Sequence, residues 1–182
     1  MKHPQRQHWR TVRRQAMAAV APQLQASVHS ALGALHSPGR LGLYWAIGAE
    51  PQLCAPAPAW TDGLALPRTR PDGIEYVAWS PGDALEADHC GIPAPLGPAL
   101  EPEDLALLLV PALAADPKGY RLGSGGGWYD RLRSQSRWRG RTALMVLPSA
   151  CCNASVAVEP WDVPFNGVIN EAGLSWFKPG QC

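Results

Sequence analysis

At 182 residues the chain is long enough to bury a sizeable core, and one domain over residues 1–182 is the expectation. Sixteen basic against fifteen acidic residues leave a net charge of +1, which argues against a broadly cationic surface for nucleic acid or anionic membrane and requires any anion site to be local. Five cysteines, at 54, 90, 151, 152 and 182, are odd in number and lack metal-ligand spacing, so neither a disulfide framework nor a zinc site is expected.

The first thirty-odd residues carry no apolar leader, and no stretch approaches a membrane span, so a cytoplasmic protein is expected. Residues 5–35 are mostly helix formers, with Trp9, Val12, Met17, Val20, Leu24, Val28 and Leu32 recurring mainly at steps of three and four. That spacing predicts a helix, bent or broken at Pro22. On it Arg6 and Arg10 are four apart, as are Arg10 and Arg14, so two or three cations can face one ligand. A solvated basic face is the alternative reading.

A short buried strand is expected from Leu41 to Ile47, closed by Gly48-Ala49-Glu50-Pro51. Glu50 then lies at a C-terminal strand edge, where open α/β sheets place ligands. Residues 51–63, rich in Pro and Ala, suggest a short helix, and Leu64–Pro67 a short strand. Ile74–Trp79 alternates as a strand does. Pro81–Pro102 carries five prolines and reads as a long, partly ordered connection. Leu105–Val110 is the clearest strand, an unbroken apolar run suited to the middle of a sheet covered on both faces. A helix from Trp128 to Gln135 and strands at Thr142–Leu147 and Gly167–Ile169 complete an alternation that implies parallel pairing, with helices on both faces.

Between the clearest strand and its helix stands Arg121-Leu122-Gly123-Ser124-Gly125-Gly126-Gly127-Trp128-Tyr129-Asp130-Arg131. Glycines at this density let a backbone take positive φ and let a ligand approach closely, so successive amides can converge on an anion at a helix entrance. Arg121 and Arg131 bracket them with cations, and Asp130 adds a carboxylate suited to magnesium beside a polyphosphate. A flexible surface connection is the bland alternative. The stretch is neither a P-loop nor a dinucleotide fingerprint.

These residues, with Pro111-Ala112-Leu113-Ala114-Ala115-Asp116 before them and Glu159-Pro160-Trp161-Asp162 after, resemble 5-formyltetrahydrofolate cyclo-ligase, also called methenyltetrahydrofolate synthetase. The specific part is the family pattern R-L-G-x-G-x-G-[YW]-Y-D-R, met at nearly every position, and the likeness runs from Arg6 to Glu171. The resemblance implies a three-layer α/β/α fold with a mostly parallel central sheet, similar to the NagB/RpiA/CoA transferase-like fold. It implies ATP-dependent cyclisation of 5-formyltetrahydrofolate to 5,10-methenyltetrahydrofolate, with ATP and magnesium required and a monomer acting on small molecules.

By the same resemblance Arg6, Arg10 and Arg121 through Tyr129 (Leu122, Gly123, Ser124, Gly125, Gly126, Gly127 and Trp128 between them) bind ATP. Arg10, Trp45, Glu50 and Trp128 bind the folate, Arg121 and Tyr129 are the catalytic residues, and Asp130 and Asp162 hold the metal. Ala112, Ala115, Ser124, Trp128 and Asn166 depart from the family's usual residues. They leave a second reading open, a paralogue that binds nucleotide or folate in a regulatory or carrier role without turnover.

Overall fold

The computed structural model describes residues 2–35, 37–53, 60 and 62–178. It opens with helix α1, Lys2–Ala34. The helix runs through Pro22 without a break, although the ring leaves the Ala18 carbonyl without its helical donor. Burial explains why: Leu24, Val28, Ala31 and Leu32 after the proline all lie in the core, so packing outweighs one missing bond.

Strands β1 (Arg40–Gly42), β2 (Leu64–Thr69) and β3 (Ile74–Trp79) follow. The segment expected to be a featureless connection instead forms an antiparallel hairpin, β4 (Leu85–Ala87) with β5 (Pro93–Pro95), then a 3-10 turn, Pro102–Asp104. Next comes β6, Leu105–Pro111, then a small two-stranded ribbon, β7 (Ala114–Ala115) with β8 (Arg121–Leu122). Helices α2 (Trp128–Ser134) and α3 (Ser136–Arg139) lead to β9 (Ala143–Val146), β10 (Gly167–Asn170) and β11 (Gly173–Trp176).

The main sheet has the order β11-β10-β9-β6-β1-β2-β3. Its five inner strands pair in parallel, and β3 and β11 add an antiparallel strand at each edge. The apolar runs alternate between two buried faces. Leu107, Leu109, Leu144 and Val146 meet α1 on one side, while Leu108, Val110, Ala143 and Met145 meet Leu132 of α2 and Trp138 of α3 on the other. This is the three-layer, mostly parallel α/β arrangement expected from the sequence, and burial on both faces is why β6 and β9 read as continuous apolar runs.

Two departures shape the functional region. The strand expected at Leu41–Ile47 pairs only over Arg40–Gly42, then leaves the sheet after one more bond, from the Leu43 amide to the Ala65 carbonyl. A crevice therefore opens between β2 and β6 above the truncated β1. The winding of the sheet also reverses there, since the chain goes from β1 out to β2 and β3, then returns to the other flank of β1 as β6. Ligands of open α/β sheets bind at such reversals. The short helix expected within residues 51–63 falls largely outside the described residues.

Candidate functional site

The crevice holds a cavity of about 460 Å³, lined from α1, the segment after β1, β2, the β4–β5 hairpin, the end of β6 and the glycine stretch. This is within the usual range of small-molecule sites. Four arginines reach its wall, Arg10, Arg13, Arg14 and Arg121, against two carboxylates, Glu50 and Asp88. The surplus of positive charge is local, as the near-neutral chain requires.

The glycine stretch is carried there by the β7–β8 ribbon. The Asp116 carboxylate accepts the amides of Lys118 (2.9 Å) and Tyr120 (2.8 Å) to turn the ribbon back. Helix α1 then holds the loop from the side: Arg6 Nε donates to the Gly123 carbonyl (3.2 Å) and Arg10 to the Ser124 carbonyl (2.7 Å). The two arginines thus engage the loop's carbonyl groups. Gly125 and Gly127 have φ of +128° and +65°, where a β-carbon costs about 1–2 kcal/mol, and Gly127 caps α2 without any side-chain hydrogen bond. The opening amides of that helix are therefore not occupied by a capping side chain. At seven residues α2 is short, and the loop's own amides matter more than a helix dipole.

Arg121 is the hub of the site. It bonds both oxygens of Asp130 (3.3 and 3.2 Å) and the Pro111 carbonyl (2.7 Å), and its guanidinium lies over the Tyr129 ring at 5.3 Å. Tyr129 lines the cavity, and burial followed by the negative charge of Glu50 pushes its hydroxyl up, so it remains a protonated donor. Behind it lies Tyr76, completely buried, whose hydroxyl interacts with that of Tyr129. Arg131 stacks over Trp128 at 4.6 Å, fixing an indole in the cavity wall.

Across the cavity Glu50 is only 8% exposed. Its Oε2 accepts the Ile47 amide (3.0 Å), and its Oε1 lies 3.5 Å from Arg13. Burial raises its pKa, opposed by the Ile47 amide and by the charges of Arg13 and Arg121. Trp45, five residues earlier, lines the same wall.

Of the residues singled out from the sequence, Arg10, Trp45, Glu50, Arg121, Ser124, Gly126, Gly127, Trp128 and Tyr129 all line this one cavity. Arg6, Leu122, Gly123 and Gly125 stand behind it as supports. The carboxylates Asp130 and Asp162 do not line it. Asp130 gives both oxygens to Arg121, and Asp162 accepts the Glu159 amide in its own turn (2.9 Å). Among the described residues no three acidic, histidine or cysteine side chains form a metal cluster. The residues do not make a preformed protein cage for magnesium; an ion held chiefly by phosphate oxygens and water needs only one or two carboxylates.

Sequence reasoning missed Arg13 and the hairpin. Arg13 follows Arg6 and Arg10 at i+7 and i+3, so helical spacing already placed it on their stripe. Thr69, Asp88 and Ile92 give no such signal. Their place in the wall depends on a hairpin that Asp88 organises by accepting the amides of Thr69 (2.8 Å), Cys90 (2.9 Å) and Ile92 (2.9 Å). Three of the substitutions do not line the cavity: Asn166 accepts the Ala143 amide at the start of β9 (2.9 Å), Ala115 is buried with its carbonyl bonded to the Ala154 amide (2.9 Å), and Ala112 is buried with its carbonyl accepting from Arg13 (3.1 Å).

Residues 6–171 match the 5-formyltetrahydrofolate cyclo-ligase family. The chain belongs to that family. It is similar to the 5-formyltetrahydrofolate cyclo-ligase of Haemophilus influenzae, 29% identical over 99 residues (52% of this chain and 52% of the relative), and to that of Mycolicibacterium smegmatis, 30% identical over 110 residues (59% and 53%). The match thus spans about half the length of these curated relatives.

Structural likeness extends further. The NMR structure of Aquifex aeolicus 5,10-methenyltetrahydrofolate synthetase superposes with a TM-score of 0.70 at 26% identity, covering 96% of this chain and 95% of that one. A 5,10-methenyltetrahydrofolate synthetase from Mycoplasma pneumoniae superposes with a TM-score of 0.64 at 18% identity, over 90% and 98% of the two chains, and supports the fold. No helix among the described residues is long and apolar enough to cross a membrane.

Proposed function

We propose that the protein catalyses the ATP-dependent conversion of 5-formyltetrahydrofolate to 5,10-methenyltetrahydrofolate, releasing ADP and phosphate, as a monomer in the cytoplasm. Family membership gives the reaction class. The observation that carries the reading is the meeting, in one cavity, of an arginine-braced glycine loop on one side and a buried carboxylate with an indole on the other. One side suits a polyphosphate; the other suits a flat heterocycle with N–H donors.

In this reading Trp45 and Trp128 cover the pterin ring, Glu50 accepts its N–H groups, and Arg10 contacts both substrates. The formyl oxygen attacks the γ-phosphorus and ADP leaves. N10 then attacks the activated formyl carbon, its proton is lost, and the phosphate departs with the former formyl oxygen, which leaves the five-membered methenyl ring. No protein nucleophile is required.

Arg121 is placed to balance charge on the transferring phosphoryl group, and Tyr129, kept as a phenol, donates a hydrogen bond to an oxygen at the reacting centre. Alignment of the formyl oxygen with the γ-phosphate supplies the rest of the rate. Asp130, with Asp162 as the second carboxylate, would hold magnesium entering with the nucleotide; the ion, when bound, neutralises phosphate charge.

The test is to mix the protein with magnesium-ATP and 5-formyltetrahydrofolate and follow methenyl absorbance. Product that depends on both substrates is expected. ATP binding without product, even at high protein concentration, would favour the non-catalytic paralogue that Ser124 in the loop allows.

A further inference from the structure

Arg13 is 6% exposed, the only buried residue described in α1 before Leu24, and it lines the cavity. Its Nη1 donates to the Ala112 carbonyl just beyond β6 (3.1 Å) and lies 3.5 Å from Glu50 Oε1. Its Nε is buried without a hydrogen-bond partner. An aliphatic side chain would fill this place at less cost, because burying a guanidinium forfeits hydration that a single ion pair rarely repays. A charge kept there has a use that packing does not supply.

Resting on the function proposed above, we infer that Arg13 is a positioning residue for Glu50: it ties the carboxylate to the β6 end of the cavity and fixes the direction in which it meets the folate ring. Among the described residues Arg13 is the one cation within ion-pair distance of Glu50. The groups facing it are the Ile47 amide from its own segment, Arg13 from α1, and, at longer range, Arg121 from β8 and Tyr129 from α2. Arg121 is already committed to Asp130 and Pro111, and burial alone drives Glu50 toward its neutral form. A protonated Glu50 would present one donor and one acceptor where a ring edge with two N–H donors needs two acceptors. Arg13 therefore sets both the aim and the charge of the acceptor, while touching neither ATP nor the formyl group.

The test compares wild type with Arg13→Gln and Arg13→Lys. In the ligand-free protein, the ¹³C titration of the Glu50 carboxyl should move up by about 1–3 pH units in Arg13→Gln, the scale for losing a cation at this range, and largely return in Arg13→Lys. In turnover, Arg13→Gln should raise KM for 5-formyltetrahydrofolate about tenfold, as loss of one good hydrogen bond does. That rise should be steepest at the acid end of the pH profile, with ATP affinity unchanged.

An unmoved Glu50 titration, or folate and ATP binding weakened together at every pH, would overturn the proposal and leave Arg13 a structural residue. If Arg13→Gln fails to fold, Arg13→Lys decides by the same two readouts, since a lysine keeps the charge but not the fork geometry: Glu50 should titrate near its wild-type value while folate KM rises. If wild type makes no product, the functional reading falls instead, and the Glu50 titration still decides whether Arg13 positions it.

Discussion

The two walls of the cavity are built on opposite plans. The glycine wall is a run of consecutive residues whose own side chains do little, held in place from outside by Arg6, Arg10 and the Arg121–Asp130 pair. The hairpin wall is made of scattered residues stapled by side chains on the backbone: Asp88 takes three amides, and Arg68 bonds Glu75 and the carbonyls of Pro95 (3.2 Å) and Gly97 (3.0 Å). A wall that must leave its backbone amides to a ligand cannot spend them on itself. A wall that only encloses the ligand can, and its amides and carbonyls are accordingly used up. Damage to the first should therefore register in catalysis and damage to the second in folate affinity and local stability.

The largest expected effect is at the hub. Arg121→Ala orphans Asp130 and, in the proposed reaction, would remove a donor to the phosphoryl group, so kcat/KM should fall about 10²–10³-fold, the scale for one preorganised donor. Arg121→Lys should recover little of it, because one ammonium cannot bond Asp130 and Pro111 in the same fork. Asp130→Asn should cost about ten- to a hundredfold, the equivalent of one charge-assisted hydrogen bond, and should make activity more dependent on magnesium concentration. Steady-state kinetics on both variants would break the contrast if the loss lay in folate KM alone.

On the other wall, Asp88→Ala should loosen the hairpin by about 1–3 kcal/mol, the range for hydrogen bonds to a charged group, and raise folate KM while sparing ATP. Burial alone would raise the Asp88 pKa, but the Thr69 hydroxyl and the amides of Thr69, Ile92 and Cys90 outweigh it and hold the carboxyl below its usual value. A depressed folded pKa gives stability that is present above the unfolded value and lost as pH falls. The hairpin should thus open on acidification below about pH 4, and residues 85–95 should exchange amide protons earlier in wild type than the sheet does. The smallest effect is expected of Gly127→Ala, about 1–2 kcal/mol from a β-carbon at positive φ, seen as a lower Tm and a weaker ATP affinity.

The same contrast explains what could be read from the sequence. The glycine wall was legible because its chemistry demands particular residues at particular spacings, and β6 and β9 were legible because burial on both faces demands apolar runs. The hairpin was not: β5 is Pro93-Ala94-Pro95, a composition that argues against a strand. Its order rests on Asp88 and Arg68 finding backbone partners brought near by the fold. The early end of β1 was likewise hidden, since Leu43 and Tyr44 stay buried after leaving the sheet and keep the apolar pattern of a longer strand. Arg13 was legible by spacing, but its burial beside Glu50 was not, because the Glu50 turn lies far away in the chain.

The most direct test of the two-wall account is hydrogen exchange measured by mass spectrometry with each substrate added separately. Magnesium-ATP should protect residues 123–129, and 5-formyltetrahydrofolate should protect residues 45–50 and 88–92, with both regions slowed when a non-hydrolysable nucleotide and folate are present together. Protection of residues 123–127 by folate alone, or of neither region by either substrate, would contradict it.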